Sequence, residues 1–345
     1  MVNSHYVPQF LLRNFCKDDK IQYFDIATKS VEQRSTKSVF SERGYYPDNL
    51  EKELCYKIEA QFANVLNKKI VNERYKITLD QQDMLILKKF LIVTMLRVKD
   101  ENLDHNIWYR ELIKSEIISE DDATKAYLSG DFFDAINKVL NANTIDVLLE
   151  MTEKERNINL FTFIKDSIFS YNVFVRTNNS KEDFVITDRG WAGYRGPMGV
   201  KKLNAMFNML EIRYDPFIDM LLHMSSPQDY AIYPLSSTMA LIAMSPAYKI
   251  CLPGAPYHII YPNEAPSLSK CLGFGTSDTI APSDNKTHRD GSKEYRYSIK
   301  QITRNDVSFL NSLLIKQADR YFAYADEDKI KISLDESCVS VGGKE

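Results

Sequence analysis

The spacing of hydrophobic residues along the first half of the chain is helical. Apolar residues recur at this spacing over 48–69, which predicts a helix with Asp48 as N-cap and Glu51 as the acidic partner of a capping box. A second helical pattern follows Thr78 as N-cap and runs to about residue 115 without glycine or proline. Three further helices are predicted at 120–128, 131–150 and 157–170.

Segments of strand character dominate the second half. β-Branched and aromatic residues predict a hairpin formed by 171–178 and 183–188, and a second strand pair formed by 231–235 and 239–245. Thr303 is the predicted N-cap of a helix that continues through the sequence RYFAYA. Single strands are predicted at 21–27 and 294–302.

Helical and strand-like segments are segregated along the chain rather than alternating, which favours the α+β class. We expect a helix-rich N-terminal half and a mixed or antiparallel sheet formed mainly by the C-terminal half. The predicted organisation is a single compact domain over 1–336 followed by a polar tail at 337–345. Within the domain the helical part covers about 48–170 and the β-rich part about 171–336, with an N-terminal arm at 1–27 packing on both.

Composition and charge restrict the class of protein. The 345 residues carry 44 basic and 47 acidic side chains, so the formal charge of -3 gives no overall attraction to nucleic acid. Five scattered cysteines without a C-x-x-C pair are typical of buried thiols in a reducing compartment. The apolar stretch 84–96 contains two lysines and is far shorter than the ~20 residues of a membrane span. We therefore expect a cytoplasmic protein with no membrane partner.

The most specific segment of the chain is its opening motif, HYVPQFLLRNF at 5–15. This motif resembles the signature HYVPxFxLRNF of a bacterial protein family of unknown function (DUF4238). The family's usual asparagine and proline after a strand-ending aspartate are replaced here by Arg189 and Gly190. The resemblance implies only a weak association with mobile elements and defence genes. Other segments that fit the family pattern are YY at 45–46, Arg97, Asp188 in ITDRG, YPLS at 233–236 and the pattern from Asn311 to Tyr321.

Four residues are candidates for catalysis: His5, Arg13, Arg97 and Asp188. His5 can serve near neutral pH as an acid, a base or a metal ligand, and the alternative is a buried histidine that ties down the N-terminus. Arg13 can clamp a phosphate or pair with Glu51 or Asp188, while Arg97 in its apolar helix needs a partner or an exposed face. Asp188 ends an apolar strand, where it either faces a cleft or forms a turn.

Two glutamates extend this set toward metal binding. Glu51 and Glu59 are eight residues apart, which is about two turns of the 3.6-residue repeat, so both lie on a similar helix face. With His5 and Asp188 they could hold Mg²⁺ or Mn²⁺ for metal-assisted phosphodiester hydrolysis. The alternative is a capping-box acid and a solvated glutamate.

A segment rich in basic and aromatic residues follows Asp188 and is the best local signal for nucleic-acid binding. The alternative is an ordinary solvated loop. The substrate-binding candidates in this segment are Arg189, Trp191, Tyr194, Arg195, Lys201 and Lys202.

Three functions stay open at this point. The first hypothesis is an intracellular bacterial effector acting on nucleic acid, a nuclease-type toxin of phage defence or of a toxin–antitoxin system. It would be a metal-assisted or His-dependent phosphodiesterase with a regulatory or antitoxin protein as partner. The second is a non-catalytic binding or sensor module of a defence system, and the third is an enzyme for a phosphorylated or nucleotide metabolite.

Overall fold

The computed structural model describes residues 3–97, 132–154, 164, 167–177, 182–194, 229–245, 286–287 and 293–336. These residues contain eight α-helices: α1 (Gln9–Leu12), α2 (Asp48–Leu54), α3 (Ala60–Val65), α4 (Gln81–Leu96), α5 (Phe132–Asn141), α6 (Ile145–Lys154), α7 (Arg304–Gln317) and α8 (Lys331–Glu336). They also contain thirteen strands: β1 (Asn3–His5), β2 (Lys20–Asp25), β3 (Ser30–Ser35), β4 (Ser41–Arg43), β5 (Lys76–Asp80), β6 (Tyr171–Thr177), β7 (Ile186–Thr187), β8 (Ala192–Tyr194), β9 (Tyr230–Ser236), β10 (Met239–Met244), β11 (Lys286–Thr287), β12 (Lys293–Ile302) and β13 (Tyr321–Tyr324). The predicted α+β class is confirmed.

Three sheets organise these strands. The largest has the order β11-β12-β6-β10-β9-β8, with β5 also pairing with β12. In it β12 and β6 are parallel and the other pairs are antiparallel. The second sheet, β3-β2-β13-β7, is antiparallel, and β1 pairs with β4 in the third. The largest sheet is built mainly from the second half of the chain, as expected, but five strands precede residue 81 and make the N-terminal part less helical than predicted.

Strand pairing in the second half agrees with one prediction and overturns another. The pair 231–235 with 239–245 is confirmed, because β9 and β10 are antiparallel neighbours. The hairpin of 171–178 with 183–188 is wrong: β6 lies between β10 and β12, whereas β7 pairs with β13 in the other sheet. Strand β6 is buried at six of its seven positions, and a strand buried on both faces takes a central place in a sheet.

The last long helix begins as predicted and ends earlier. Thr303 caps α7 in a capping box with Asp306, whose side chain accepts the Thr303 backbone N–H at 2.8 Å. The helix ends at Gln317, and the sequence RYFAYA forms β13 rather than a continuation of it. Strand β13 lies between β2 and β7, so pairing on both sides outweighs the local helical spacing.

The central helix starts later than predicted. Thr78 lies within β5 and is not an N-cap; the capping box is formed by Asp80 and Asp83, so α4 begins at Gln81. The predicted helix over 131–150 is divided into α5 and α6. The predictions for 98–131 and for most of 157–170 lie outside the described residues.

The helix predicted over 48–69 is confirmed over Asp48–Ile70, but its cap and its pitch differ from expectation. Its N-cap is Pro47 and no side chain bonds there, so the capping box of Asp48 and Glu51 is wrong. Two π-helical turns, Cys55–Glu59 and Leu66–Ile70, interrupt the α-helix.

The π-helical turns follow from a strict four-residue repeat of buried positions. A step of four residues exceeds one α-helical turn by about 40°, so five steps would rotate the buried face by about 200°. Each π-helical turn takes up one extra residue, or roughly 100°, so two of them return the buried positions to one face. These positions are Leu50, Leu54, Ile58, Phe62, Leu66 and Ile70.

Helix α4 runs through the core and is buried on nearly every side. Its lysines find partners there: Lys89 Nζ donates to the carbonyl oxygens of Leu140 at 2.7 Å and Ala142 at 2.8 Å, at the end of α5. Burial lowers the pKa of Lys89 to about 8. Within the described residues, no helix combines the length and the apolarity that crossing a membrane requires.

The N-terminal arm is held against α4 and the turn that follows β7. His5 lies opposite Ser41 in the β1–β4 pair. Gly190 in that turn has φ +71°, and a Cβ there would lie 3.4 Å from Thr94 Cγ2 of α4 and 3.7 Å from Val7 Cγ2 of the arm. The arm also contributes Leu11, Leu12 and Phe15 to the core.

Candidate functional site

His5 closes β1 and presents one ring nitrogen to a polar cluster. The ring hydrogen-bonds the backbone carbonyls of Thr36 and Lys37. Nε2 is buried and has no hydrogen-bond partner among the described residues, so we assign the carbonyl contacts to Nδ1–H and the free electron pair to Nε2. Burial lowers the pKa of His5, which leaves the imidazole neutral near pH 7.

Arg97 ends α4 with a guanidinium that is almost completely buried. Nη2 donates to Glu59 Oε1 at 2.6 Å. Nε and Nη1 are buried without a partner in the part of the chain that the structure describes. A guanidinium carries five N–H donors and stays protonated in proteins, so Arg97 provides a fixed positive charge with unused donors.

Glu51 contributes a carboxyl group to the site. Its carboxylate accepts hydrogen bonds from the His5 backbone N–H and the Ser4 hydroxyl. Its Oε2 atom is buried and has no partner within the described ranges. Burial raises the pKa of Glu51, while the charge of Arg97 opposes the rise.

The first π-helical turn aligns the two glutamates. In a regular α-helix, residues eight apart differ by about 80° in direction. Taking up one residue in the turn Cys55–Glu59 reduces the difference to roughly 20°, so Glu51 and Glu59 point the same way. Cys55, between them on this face, is exposed.

We call His5, Glu51, Glu59 and Arg97 the His5–Arg97 cluster. Their mutual electrostatics show that they converge: Glu59 acts to raise and Arg97 to lower the pKa of His5, and both also act on Glu51. The cluster combines an imidazole base, a carboxyl with a raised pKa and a buried cation. This is a set of groups suited to general acid–base catalysis on an anionic substrate.

Asp188 is placed elsewhere and is fully engaged. Its carboxylate accepts the backbone N–H groups of Asp319 at 2.9 Å, Arg320 at 2.7 Å and Tyr321 at 2.8 Å. Burial, with the nearby Asp319 carboxylate, raises the pKa of Asp188 to about 7 against the pull of these three donors. The residue therefore anchors the turn after β7 to the segment before β13, and it is not a member of the cluster.

The remaining predicted residues range from exposed to buried, and Trp191 and Tyr194 are partly buried. Arg13 is exposed in the turn after α1. Arg189 is buried, with its Nη1 3.9 Å from Asp319 Oδ1, so it does not form a solvated phosphate-binding patch. Trp191 and Tyr194 pack on Tyr233 and Tyr230. Arg195, Lys201 and Lys202 lie outside the described residues.

The predicted metal set is not assembled. No three or more His, Cys, Asp or Glu side chains among the described residues are arranged to hold a metal ion. Glu59 binds Arg97, and Asp188 binds backbone N–H groups, so the metal assignment of Glu51 and Glu59 lacks geometric support.

Sequence reasoning missed three residues that surround the cluster. The hydroxyls of Tyr45 and Tyr46 both donate to the Arg97 carbonyl oxygen, at 3.0 and 3.1 Å. Cys55 lies at four-residue spacing from both glutamates, a signal that the helical repeat contained. The contacts of the two tyrosines span about fifty residues of sequence and had no local signal beyond the YY pair.

Comparison with known proteins identifies the family of the chain but gives no information on its activity. No curated protein and no solved structure matches the chain significantly. A family model matches residues 3–328, almost the whole chain, which confirms the predicted family. The chain belongs to the family described as "Protein of unknown function (DUF4238)".

Proposed function

We propose that the protein cleaves RNA phosphodiester bonds by acid–base catalysis at the His5–Arg97 cluster. One observation carries the proposal: His5 Nε2, Glu51 Oε2 and Arg97 Nε and Nη1 are buried together without partners among the described residues. Buried polar atoms are almost always paired, so several unpaired ones in one cluster are those that a substrate would occupy.

The substrate class follows from what the cluster supplies. It offers a base, an acid and a cation, and an RNA phosphodiester brings its own nucleophile, the ribose 2′-hydroxyl. His5 Nε2 removes the 2′-hydroxyl proton while the oxygen attacks phosphorus. Arg97 donates Nε–H and Nη1–H to the non-bridging oxygens, where negative charge develops.

Glu51 completes the step as the acid. In its protonated form the carboxyl transfers its proton to the leaving 5′-oxygen, and burial shifts the pKa of Glu51 in the direction that this role requires. The products are a 2′,3′-cyclic phosphate and a free 5′-hydroxyl, and solvent returns His5 and Glu51 to their starting protonation. An RNase of this kind fits an effector of phage defence or of a toxin–antitoxin system.

A second candidate is favoured by the depth of Arg97, which is 2% exposed. A small phosphorylated or nucleotide metabolite reaches such a depth more easily than a long polymer. Arg97 and Glu51 would keep their roles, and His5 would remove a proton from an attacking water molecule instead of a 2′-hydroxyl.

The experiment is cleavage of end-labelled RNA by the purified full-length chain, with and without a chelator. We expect chelator-resistant cleavage leaving 2′,3′-cyclic phosphate ends, identified by mass spectrometry. His5→Asn keeps a donor for the Thr36 and Lys37 carbonyls but removes the base, so activity should fall by roughly 10²–10⁴-fold. Arg13→Ala is the matched control in the same arm, and it should leave the rate unchanged.

Folding of each variant is checked by circular dichroism. Equal rates for wild type and His5→Asn would refute the proposal. Absence of RNA cleavage, with turnover of a nucleotide that depends on His5, would establish the second candidate instead. Binding of either substrate without turnover would identify a non-catalytic sensor.

A further inference from the structure

Two consecutive tyrosines converge on one backbone oxygen of the site. Tyr45 and Tyr46 each donate a hydroxyl to the Arg97 carbonyl, at 3.0 and 3.1 Å. Their rings contact edge to face with centroids 4.6 Å apart. Burial raises the pKa of both hydroxyls, so both remain protonated donors at neutral pH.

The position of this carbonyl explains why donors are needed. The last carbonyls of an α-helix have no partner within the helix, and a buried one must find a donor elsewhere. Arg97 follows α4 directly, and its own N–H still bonds to the Val93 carbonyl at 2.9 Å. The tyrosine hydroxyls therefore fix the backbone of the residue whose guanidinium enters the His5–Arg97 cluster.

The same dipeptide connects Arg97 to the other side of the site. The Tyr46 backbone N–H donates to Ser4 Oγ at 3.4 Å. Ser4 in turn hydrogen-bonds Glu51, which also accepts the His5 backbone N–H. A chain of hydrogen bonds thus runs from the Arg97 carbonyl through Tyr46 and Ser4 to the acid and to the strand that carries the base.

We propose that Tyr45 and Tyr46 are positioning residues that hold the Arg97 guanidinium in place for the substrate phosphate. The assignment of the phosphate to Arg97 rests on the proposed function, whereas the effect on Arg97 itself does not. Because two donors share one acceptor, removal of one hydroxyl leaves the carbonyl satisfied and removal of both leaves it buried and unpaired.

This difference gives a test by non-additivity. We compare Tyr45→Phe, Tyr46→Phe and the double variant in RNA cleavage, with Tyr324→Phe as control. The Tyr324 hydroxyl is buried without a partner within the described residues, so its removal should leave the rate unchanged. We expect each single variant to lose about threefold or less in kcat and the double variant about thirtyfold or more.

An independent readout is the titration of His5 followed by NMR, with the signal assigned by its loss in His5→Asn. Arg97 acts to lower and Glu59 to raise the pKa of His5, and the carbonyls of Thr36 and Lys37 also raise it. If the guanidinium leaves its place, Glu59 acts unopposed and the pKa of His5 rises. The double variant should show this rise, with Arg97→Met as the positive control.

A loss of stability alone would not move this titration, so the two effects are separable. A double variant with wild-type kcat and an unchanged His5 titration would overturn the inference. A shifted titration in a protein that cleaves no RNA would support the positioning role and refute the proposed function. Strictly additive losses without a titration shift would reduce the tyrosines to ordinary structural residues.

Discussion

Replacement of Glu59 by glutamine tests how the buried charge of Arg97 is held. The Arg97 side chain is 2% exposed and that of Glu59 is 18% exposed, and their atoms Nη2 and Oε1 are 2.6 Å apart. Glutamine keeps the shape and one acceptor oxygen but removes the negative charge. Arginine stays protonated in proteins, so the variant keeps the buried positive charge of Arg97 without the negative charge of Glu59.

The expected cost follows from burial. Removing one partner of a buried ion pair costs about 3–5 kcal/mol, whereas an exposed pair is worth about 0–1 kcal/mol. The ionised form of Glu51 also acts favourably on Arg97, and Glu51 is unchanged in the variant. We therefore expect a loss at the low end, about 3 kcal/mol of unfolding free energy.

Urea unfolding at neutral pH, followed by circular dichroism, measures this loss. Combining Glu59→Gln with Arg97→Met removes both charges, and the double variant should return to within about 1 kcal/mol of wild type. The control is Glu32→Gln, because the Glu32 and Arg34 side chains are 57% and 37% exposed, and its cost should stay below about 0.5 kcal/mol. If Glu59→Gln costs no more than this control, the charge of Arg97 is compensated in another way and the reasoning fails.

Two further predictions concern the turn that follows β7. The pKa of Asp188 is raised to about 7, so the folded protein holds a proton that the unfolded chain releases, and stability should fall from about pH 4 to about pH 7. Asp188→Asn should abolish this part of the pH dependence of the unfolding free energy, measured with urea. If the wild type instead gains stability relative to the variant as the pH rises, the three N–H donors lower the pKa of Asp188 by more than burial raises it. Gly190→Ala should cost about 1–2 kcal/mol because its φ is +71°. Gly44 is exposed and has the same φ, so Gly44→Ala should lose as much stability in thermal unfolding. A much larger loss of stability for Gly190→Ala would show that crowding by neighbouring side chains, and not backbone strain, determines the cost.

The candidate site was predictable in its residue types and only partly in its membership. His5, Glu51, Glu59 and Arg97 were all candidates, because an unusual opening motif, helical spacing and an arginine in an apolar helix are local signals. The structure places Asp188 outside the cluster, with hydrogen-bond partners about 130 residues further along, where the sequence has a helical pattern.

The fold shows the same division between local and distant information. The cap of α7 depends on residues three apart and was predicted correctly at Thr303. The helical spacing before β13 was equally local and was wrong, because pairing with β2 and β7 decides the conformation there. The partners of β6 come from other parts of the chain, so no pattern within 171–188 could identify them.

The four-residue repeat of the Asp48–Ile70 helix bears on how this part of the chain can change in length. From Leu50 to Ile70 the helix makes five turns with roughly two residues more than five regular α-helical turns need. Each π-helical turn stores one of them, so loss of a residue within Cys55–Glu59 can be absorbed by a return to regular α-helix. Glu51, Glu59 and the buried positions would then stay on the sides of the helix on which they now lie. A single-residue deletion, which in a regular helix rotates all that follows, should therefore be absorbed at either of these two turns, so that the helix can shorten here without turning its buried face.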